Sequence, residues 1–126
     1  SRNKIIEMEM KKTGMLFSFC CVAPAIIKNK KNLELRFFEN VGSDIGLLFQ
    51  ISDDLIDHEG NSKIAGKKTG KDQKKGKATL ISLLGYDNAV KYSEDLIINI
   101  DKKLKKYGSN SKKIKQTLEY ILNRDR

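Results

Sequence analysis

Tryptophan is absent from this chain of 126 residues, and proline, histidine and cysteine are scarce, with one, one and two copies. The cysteines, Cys20 and Cys21, are adjacent, which argues against a disulfide framework and against the spaced ligands of a zinc site. We interpret both as small apolar side chains on a buried helix, in a reducing cytoplasm. The sequence also lacks the Ser/His/Asp and Cys/His patterns that are typical of nucleophilic catalysis.

Long apolar runs are missing as well. The longest candidate, from Leu16 to Ile27, is shorter than the roughly 18 residues that span a bilayer, and it contains Pro24. The N-terminus does not have the layout of a signal peptide. We therefore expect no membrane span and a cytoplasmic protein, with a length that suits one modest domain or a piece of a larger one.

Arginine makes up only four of the 25 basic residues, although the formal net charge is +9. Proteins that read nucleic-acid bases favour arginine and interleave aromatic side chains, and this pattern is missing. The charge therefore predicts no nucleic-acid partner, and a basic helical nucleic-acid binder is the weaker alternative. Its test is a DNA affinity that falls steeply with salt.

Apolar residues recur at helical spacing through most of the chain, and we find no alternation typical of strands. The pattern predicts an all-α fold with helices at residues 3–28, 33–57, 79–84, 87–107 and 112–124. Gly14 allows a local bend or close packing in the first helix, and the pair Gly42 and Gly46 lets another helix approach the second closely. The apolar stripe of the first helix consists of Ile5, Ile6, Met8, Met15, Leu16, Phe19 and Val22.

Three carboxylates and an amide crowd the end of the second helix. On a helix Asp53 and Asp57 share a face, Asp54 lies about 100° away from Asp53, and Gln50 lies one turn earlier. Like charges one turn apart destabilise a helix by roughly 0.2–0.5 kcal/mol, and burying them costs more unless a cation compensates. Carboxylate oxygens without nearby His or Cys favour Mg²⁺, with water and substrate phosphates as its other ligands. The segment therefore predicts a place where Mg²⁺ holds a phosphorylated ligand.

Residues 58–77 interrupt the helical pattern with four glycines and seven lysines. Glycine lets the backbone approach a ligand and lysine neutralises diphosphate, so this Gly/Lys-rich segment is a candidate phosphate-binding loop. It is not a Walker A loop, because no strand precedes Gly66 and the glycine spacing differs. A solvated basic segment explains the composition equally well. We expect the segment to be mobile without ligand, since its lysines repel one another.

Two further candidate sites are weaker. Lys12-Thr13-Gly14 offers an ammonium and a hydroxyl, both suited to phosphate oxygens, but an exposed lysine beside a helical glycine is also ordinary. His58, the only histidine, directly follows the acids. Either a general base or, more simply, a solvated residue at a helix end accounts for it.

Taken in order, these motifs resemble one protein family. The motifs lie in the same order as in the C-terminal part of the trans-isoprenyl diphosphate synthases, and they look most like those of the bacterial farnesyl (geranyl-extending) diphosphate synthases. They are Lys12-Thr13-Gly14, the segment 46–57, Gly66-Lys67 and the segment 72–79. The resemblance runs from about Lys4 to the C-terminus and includes a final helix ending near Arg124. It implies an isoprenoid-synthase-type helical bundle, of which this chain would form the C-terminal half only.

The resemblance implies a role for each acidic residue. Asp53, Asp54 and Asp57 match the second aspartate-rich motif, which in the family binds Mg²⁺ and, through it, the diphosphate of the allylic substrate. Asp72 would support the metal indirectly. The reaction implied is ionisation of dimethylallyl or geranyl diphosphate, followed by attack of isopentenyl diphosphate on the allylic cation and loss of a proton.

The same resemblance assigns the remaining site residues. Lys12 and Thr13 match a Lys-Thr pair at a helix break, where the lysine contacts diphosphate and the threonine helps to stabilise the cation. Gln50 matches a glutamine beside that cation. Lys67 matches a lysine on the allylic diphosphate, and Lys77 matches a second lysine near the site.

One departure from the family pattern limits these expectations. The family uses two aspartate-rich motifs that face each other, and this sequence has a single Asp-Asp pair. We therefore expect half a site, negligible turnover by the chain alone, and an exposed apolar face. That face would drive homo-oligomerisation or association with the missing N-terminal half.

Two further interpretations stay open. The chain could be a non-catalytic small subunit or binding partner of a heteromeric prenyl synthase, although such subunits typically lose the acids that are intact here. It could also be a terpene cyclase of related fold, although the Asn/Asp, Ser/Thr and Glu motif usual in cyclases is absent.

Overall fold

The structure, a computed structural model, describes residues 1–65 and 79–124. Every regular element in those residues is helical, which confirms the all-α prediction. The elements are α1 (Arg2–Glu9), a π-helical turn (Met10–Gly14), α2 (Met15–Ile27), α3 (Asn32–Ala65), α4 (Leu80–Leu84), α5 (Tyr86–Leu104), a 3₁₀ segment (Lys105–Ser111) and α6 (Lys112–Asn123).

The second helix is longer than the sequence pattern predicts. The structure continues α3 through the first part of the predicted Gly/Lys-rich loop, as far as Ala65. A lone glycine lies there, Gly60, and among the described residues no atom beyond its own stretch of helix lies within 4 Å of the position its Cβ would occupy. One glycine in a helix interior costs about 1 kcal/mol relative to alanine, which does not end a long helix. The rest of the predicted loop, residues 66–77, lies outside the described residues.

Local signals set the ends of the short α4 helix. Thr79 and Ser82 form a capping box, in which each side chain bonds the backbone N–H of the other. Gly85 ends the helix at φ 81°, a conformation that L side chains rarely adopt. The predicted stop at Gly85 is therefore confirmed.

Three glycines bring α3 against the first helical pair. A Cβ on Gly46 would lie 2.5 Å from the Cα of Gly14, and a Cβ on Gly42 would lie 2.6 Å from the carbonyl oxygen of Phe17. The hydroxyl of Ser18 donates to the carbonyl of Glu39 at 3.2 Å along the same contact. The predicted close approach of another helix at Gly42 and Gly46 is confirmed, and its partner is the π-helical turn with α2.

The core is built around α3. The largest fully buried side chains come from α3, α4, α5 and α6, and each apolar one contributes about 1.5–3 kcal/mol through removal from water. They are Val41, Leu48, Ile51, Leu55, Leu80, Ile100, Leu104 and Leu118. The helices α5 and α6 therefore hold α3 from one side, while α2 packs on another.

Much of the apolar stripe of the first helix is exposed. Met15, Leu16 and Phe19 are more than half exposed, at 62%, 64% and 62%, and Ile27 is 76% exposed. The reason is that α2 contacts α3 along one side, and no other described element covers its opposite side. We call the exposed side, formed by Met15, Leu16, Phe19, Ile26 and Ile27, the α2 apolar face.

The two cysteines differ in environment. Cys20 is exposed, so the interpretation of both thiols as core groups is wrong for that residue. Cys21 is half-buried, and this burial, with a smaller contribution from neighbouring Cys20, raises the pKa of the Cys21 thiol above its usual range.

The helical stretch from Arg2 to Ile27 is long and apolar enough, by length and composition alone, to cross a bilayer, and 17% of its most apolar segment is buried. A search for uninterrupted apolar runs overlooks it, because Lys11 and Lys12 interrupt the sequence. The expected absence of a membrane span therefore stays a prediction.

Candidate functional site

The π-helical turn places Thr13 against Gln50. The hydroxyl of Thr13 donates to Oε1 of Gln50 at 3.0 Å, and Gln50 is buried. The contact follows from the glycine crossing, because Thr13 precedes Gly14 and Gln50 lies one turn after Gly46. A π-helical turn widens the helix and redirects the residues within it, which explains why Thr13 faces α3.

The acids continue upward from Gln50 on the same unbroken helix. At 1.5 Å per residue, Asp53, Asp54 and Asp57 lie about 4.5, 6 and 10.5 Å beyond Gln50 along the axis. The side chain of Asp53 is 44% exposed, Asp54 is partly buried and Asp57 is exposed. Thr13 and Gln50 therefore lie beside the stretch of α3 that carries the acids, in the C-terminal half of that helix.

Sequence analysis gave no role to the residue that contacts Asp53 directly. Arg124, just after α6, forms an ion pair through Nη2 with Oδ1 of Asp53. Its guanidinium also lies over the ring of Phe49, 4.2 Å from the centroid, and Phe49 packs against Phe17 with centroids 5.2 Å apart. The two ends of this contact are 71 positions apart in sequence, so no local spacing rule connects them. The only sequence signal is an arginine at the end of an amphipathic helix.

A buried hydrogen bond fixes α6 beside the acids. The hydroxyl of Ser52, which is fully buried, donates to the carbonyl of Ile121 at 2.5 Å. That carbonyl belongs to the last turn of α6, whose carbonyls have no partner within the helix. The bond satisfies both groups and determines where Arg124 emerges.

Of the predicted lysines, the structure describes only Lys12. Lys12 is exposed, and none of the ion pairs in the described part of the chain joins it to a carboxylate. Lys67, Asp72 and Lys77 lie outside the described residues. Their roles stay predictions.

His58 lies beside the acids and contacts α5. Its exposed ring stacks on Tyr86 with centroids 5.5 Å apart, and the hydroxyl of Tyr86 donates to the neighbouring Glu59. The stacking gives His58 a packing role where α3 passes the start of α5.

The donor set suits a metal that keeps part of its shell in solvent. No group of three or more His, Cys, Asp or Glu side chains within residues 1–65 and 79–124 is arranged to hold a metal ion by itself. Mg²⁺ does not require such a group, since it commonly takes one or two carboxylates with waters and substrate phosphates. Three acids on two successive turns, each at least partly open to solvent, fit that second kind of site.

Comparison with known proteins identifies the family of the chain. The polyprenyl synthetase family matches residues 1–121. Farnesyl diphosphate synthase of Micrococcus luteus is 30% identical over 124 residues, which cover 98% of this chain and 43% of that protein. The farnesyl diphosphate synthases of Escherichia coli and Bacillus subtilis are 32% and 36% identical, over 91% and 75% of this chain and 40% and 31% of their own lengths.

The chain thus spans less than half the length of these curated relatives. The family match covers residues 1–121 of the chain, and this region contains Thr13, Gln50 and the acids of α3. On these grounds the chain belongs to the polyprenyl synthetase family of prenyltransferases.

Proposed function

We propose that this chain carries the allylic-diphosphate half-site of a short-chain prenyltransferase of the farnesyl or geranyl type. One observation carries the proposal. The hydrogen-bonded pair of Thr13 and Gln50 lies one turn from Asp53 and Asp54 on the rigid helix α3. Oxygen groups suited to a carbocation are thereby held next to oxygen groups suited to a metal–diphosphate.

Each group has a task that its chemistry allows. Asp53, Asp54 and Asp57 would hold Mg²⁺, which when bound supplies positive charge to the departing diphosphate. The Thr13 hydroxyl donates a hydrogen bond to Gln50. The lone pairs of the Thr13 oxygen are therefore left to face an electron-poor carbon. Lys12, Lys67 and Lys77 would neutralise diphosphate, and Asp72 would support the metal indirectly.

The substrates would be an allylic diphosphate, dimethylallyl or geranyl, and isopentenyl diphosphate. Because the chain contains one Asp-Asp pair, we propose that it lacks turnover alone and requires a second acidic cluster from another chain or segment. Incubation with Mg²⁺, geranyl diphosphate and isopentenyl diphosphate tests this, and robust product formation would contradict it.

Binding can be tested apart from turnover. In calorimetry with Mg²⁺ and inorganic pyrophosphate, we expect metal-dependent binding that Asp54→Asn and Asp57→Asn each weaken at least about tenfold. Asp95→Asn is the matched control, because Asp95 is an exposed acid on α5. Equal loss in the control, or no metal-dependent binding by the unaltered chain, would remove the proposed function.

The α2 apolar face favours a second candidate function. A non-catalytic subunit of a heteromeric prenyl synthase would use such a face to join its partner. The two functions can be distinguished by mixing this chain with a family member whose own second aspartate-rich motif has been inactivated. Restored turnover that depends on Asp54 supports the catalytic half-site, and restored turnover indifferent to Asp54→Asn supports the subunit.

A further inference from the structure

Arg124 holds Asp53 with only part of its hydrogen-bonding capacity. Nη2 pairs with one carboxylate oxygen, while the buried Nε has no hydrogen-bond acceptor among the described residues. A guanidinium and a carboxylate make their strongest contact with two parallel bonds. The pair at Asp53 is therefore an incomplete one.

The guanidinium is held in place by packing as well as by charge. The Arg124 side chain is 18% exposed, and the ring of Phe49 lies below it. The bond from Ser52 to the carbonyl of Ile121 anchors the turn from which Arg124 extends.

We infer that Arg124 is the resident counter-ion of Asp53 and competes with a divalent metal for this carboxylate. The inference rests on the proposed function, since it concerns the same acids. The guanidinium occupies Oδ1 of Asp53, and its charge repels a divalent cation that approaches the same carboxylate. Arg124 therefore stabilises the metal-free acids and lowers their affinity for metal, which makes metal loading depend on the end of α6.

The test measures Mn²⁺ binding to the full chain by electron paramagnetic resonance, with and without inorganic pyrophosphate. Arg124→Gln should tighten Mn²⁺ binding roughly three- to tenfold, because it removes a partly screened positive charge. Its metal-free melting temperature should fall at the same time. Arg36→Gln is the control, because it makes the same charge change at an exposed position near the other end of α3, and it should alter neither quantity.

A double variant tests whether the change in Mn²⁺ affinity depends on the carboxylate of Asp53. In Asp53→Asn, the substitution Arg124→Gln should no longer change Mn²⁺ affinity, because the shared ligand is gone. If Arg124→Gln does not fold, Arg124→Lys replaces it. Lysine lacks the planar guanidinium that lies over Phe49, so a roughly twofold tightening is expected.

The outcomes separate this inference from the proposed function. Unchanged or weaker Mn²⁺ binding in Arg124→Gln, with intact binding by the unaltered chain, overturns the counter-ion role and leaves the half-site standing. No binding of Mn²⁺ by the unaltered chain, even with pyrophosphate, removes the half-site and the inference together.

Discussion

At the scale of single residues, two hydroxyl groups form hydrogen bonds between segments of the candidate site that are far apart in sequence. Thr13 bonds the buried amide of Gln50, and Ser52 bonds the end of α6. The family resemblance placed Thr13 and Gln50 beside the same cation, but the hydrogen bond between them was not predicted. A side-chain hydrogen bond between positions 37 apart depends on how helices cross, which local patterns do not specify.

Thr13→Val should destabilise the chain by about 1–3 kcal/mol, because it preserves shape but leaves a buried acceptor of Gln50 without its donor. Denaturant unfolding measures the change. Thr117→Val is the control, since Thr117 bonds a carbonyl on the exposed surface of α6, and its effect should stay within about 0.5 kcal/mol. Equal effects would show that the Thr13 bond is not formed.

The two thiols should differ in reactivity with pH. Because burial raises the pKa of Cys21, less of it is thiolate at pH 8 than for an ordinary thiol, and thiolate is the reactive form. We expect iodoacetamide to modify Cys20 faster than Cys21 at pH 8, with the gap narrowing as the pH rises through the raised pKa. Mass spectrometry of the Cys20→Ser and Cys21→Ser variants measures each thiol alone. Equal rates at pH 8 would argue against the burial of Cys21.

At the scale of elements, helices with clear ends were predictable and helix crossings were predictable only in part. The ends of α4 and α6 agree with the sequence to within about two residues, because capping residues and apolar spacing are local. The Gly42–Gly46 pair correctly indicated a close crossing and Gly14 indicated a bend or close packing, but only the fold showed that the two positions meet. The extension of α3 to Ala65 was missed, since one glycine costs a long helix only about 1 kcal/mol and does not end it.

Two glycines on α3 should respond in opposite directions to alanine. Gly46→Ala should destabilise by about 1–3 kcal/mol, because its Cβ would overlap the backbone of Gly14, which is not free to move. Gly60→Ala, in the same helix but in open space, should stabilise by about 0.5–1 kcal/mol. Denaturant unfolding of the two variants provides the comparison. Destabilisation by both would show that Gly60 is not in an open helical position.

At the scale of the whole molecule, the α2 apolar face is the main apolar surface without a packing partner among the described residues. Sequence periodicity showed that this stripe is apolar, but it could not show that α5 and α6 would cover α3 and leave α2 open. Periodicity describes one helix at a time, whereas exposure depends on all of them. The same limit hid Arg124 from sequence analysis.

The chain should self-associate through that face, because burial of apolar surface is worth about 25 cal/mol per Å². Sedimentation velocity should show oligomers that Leu16→Gln with Phe19→Gln shifts toward monomer. Tyr120→Gln is the control, as Tyr120 is equally exposed but lies on α6, and it should leave the distribution unchanged. Monomers at all concentrations, together with flotation on lipid vesicles, would favour a membrane surface as the cover instead.

The contact between Gly14 and Gly46 joins main chain to main chain. The spacing of the π-helical turn from α3 is therefore independent of any rotamer, and repacking elsewhere leaves it unchanged. Evolution can therefore exchange most apolar residues of these helices without moving Thr13 away from Gln50, provided that positions 14 and 46 remain glycine.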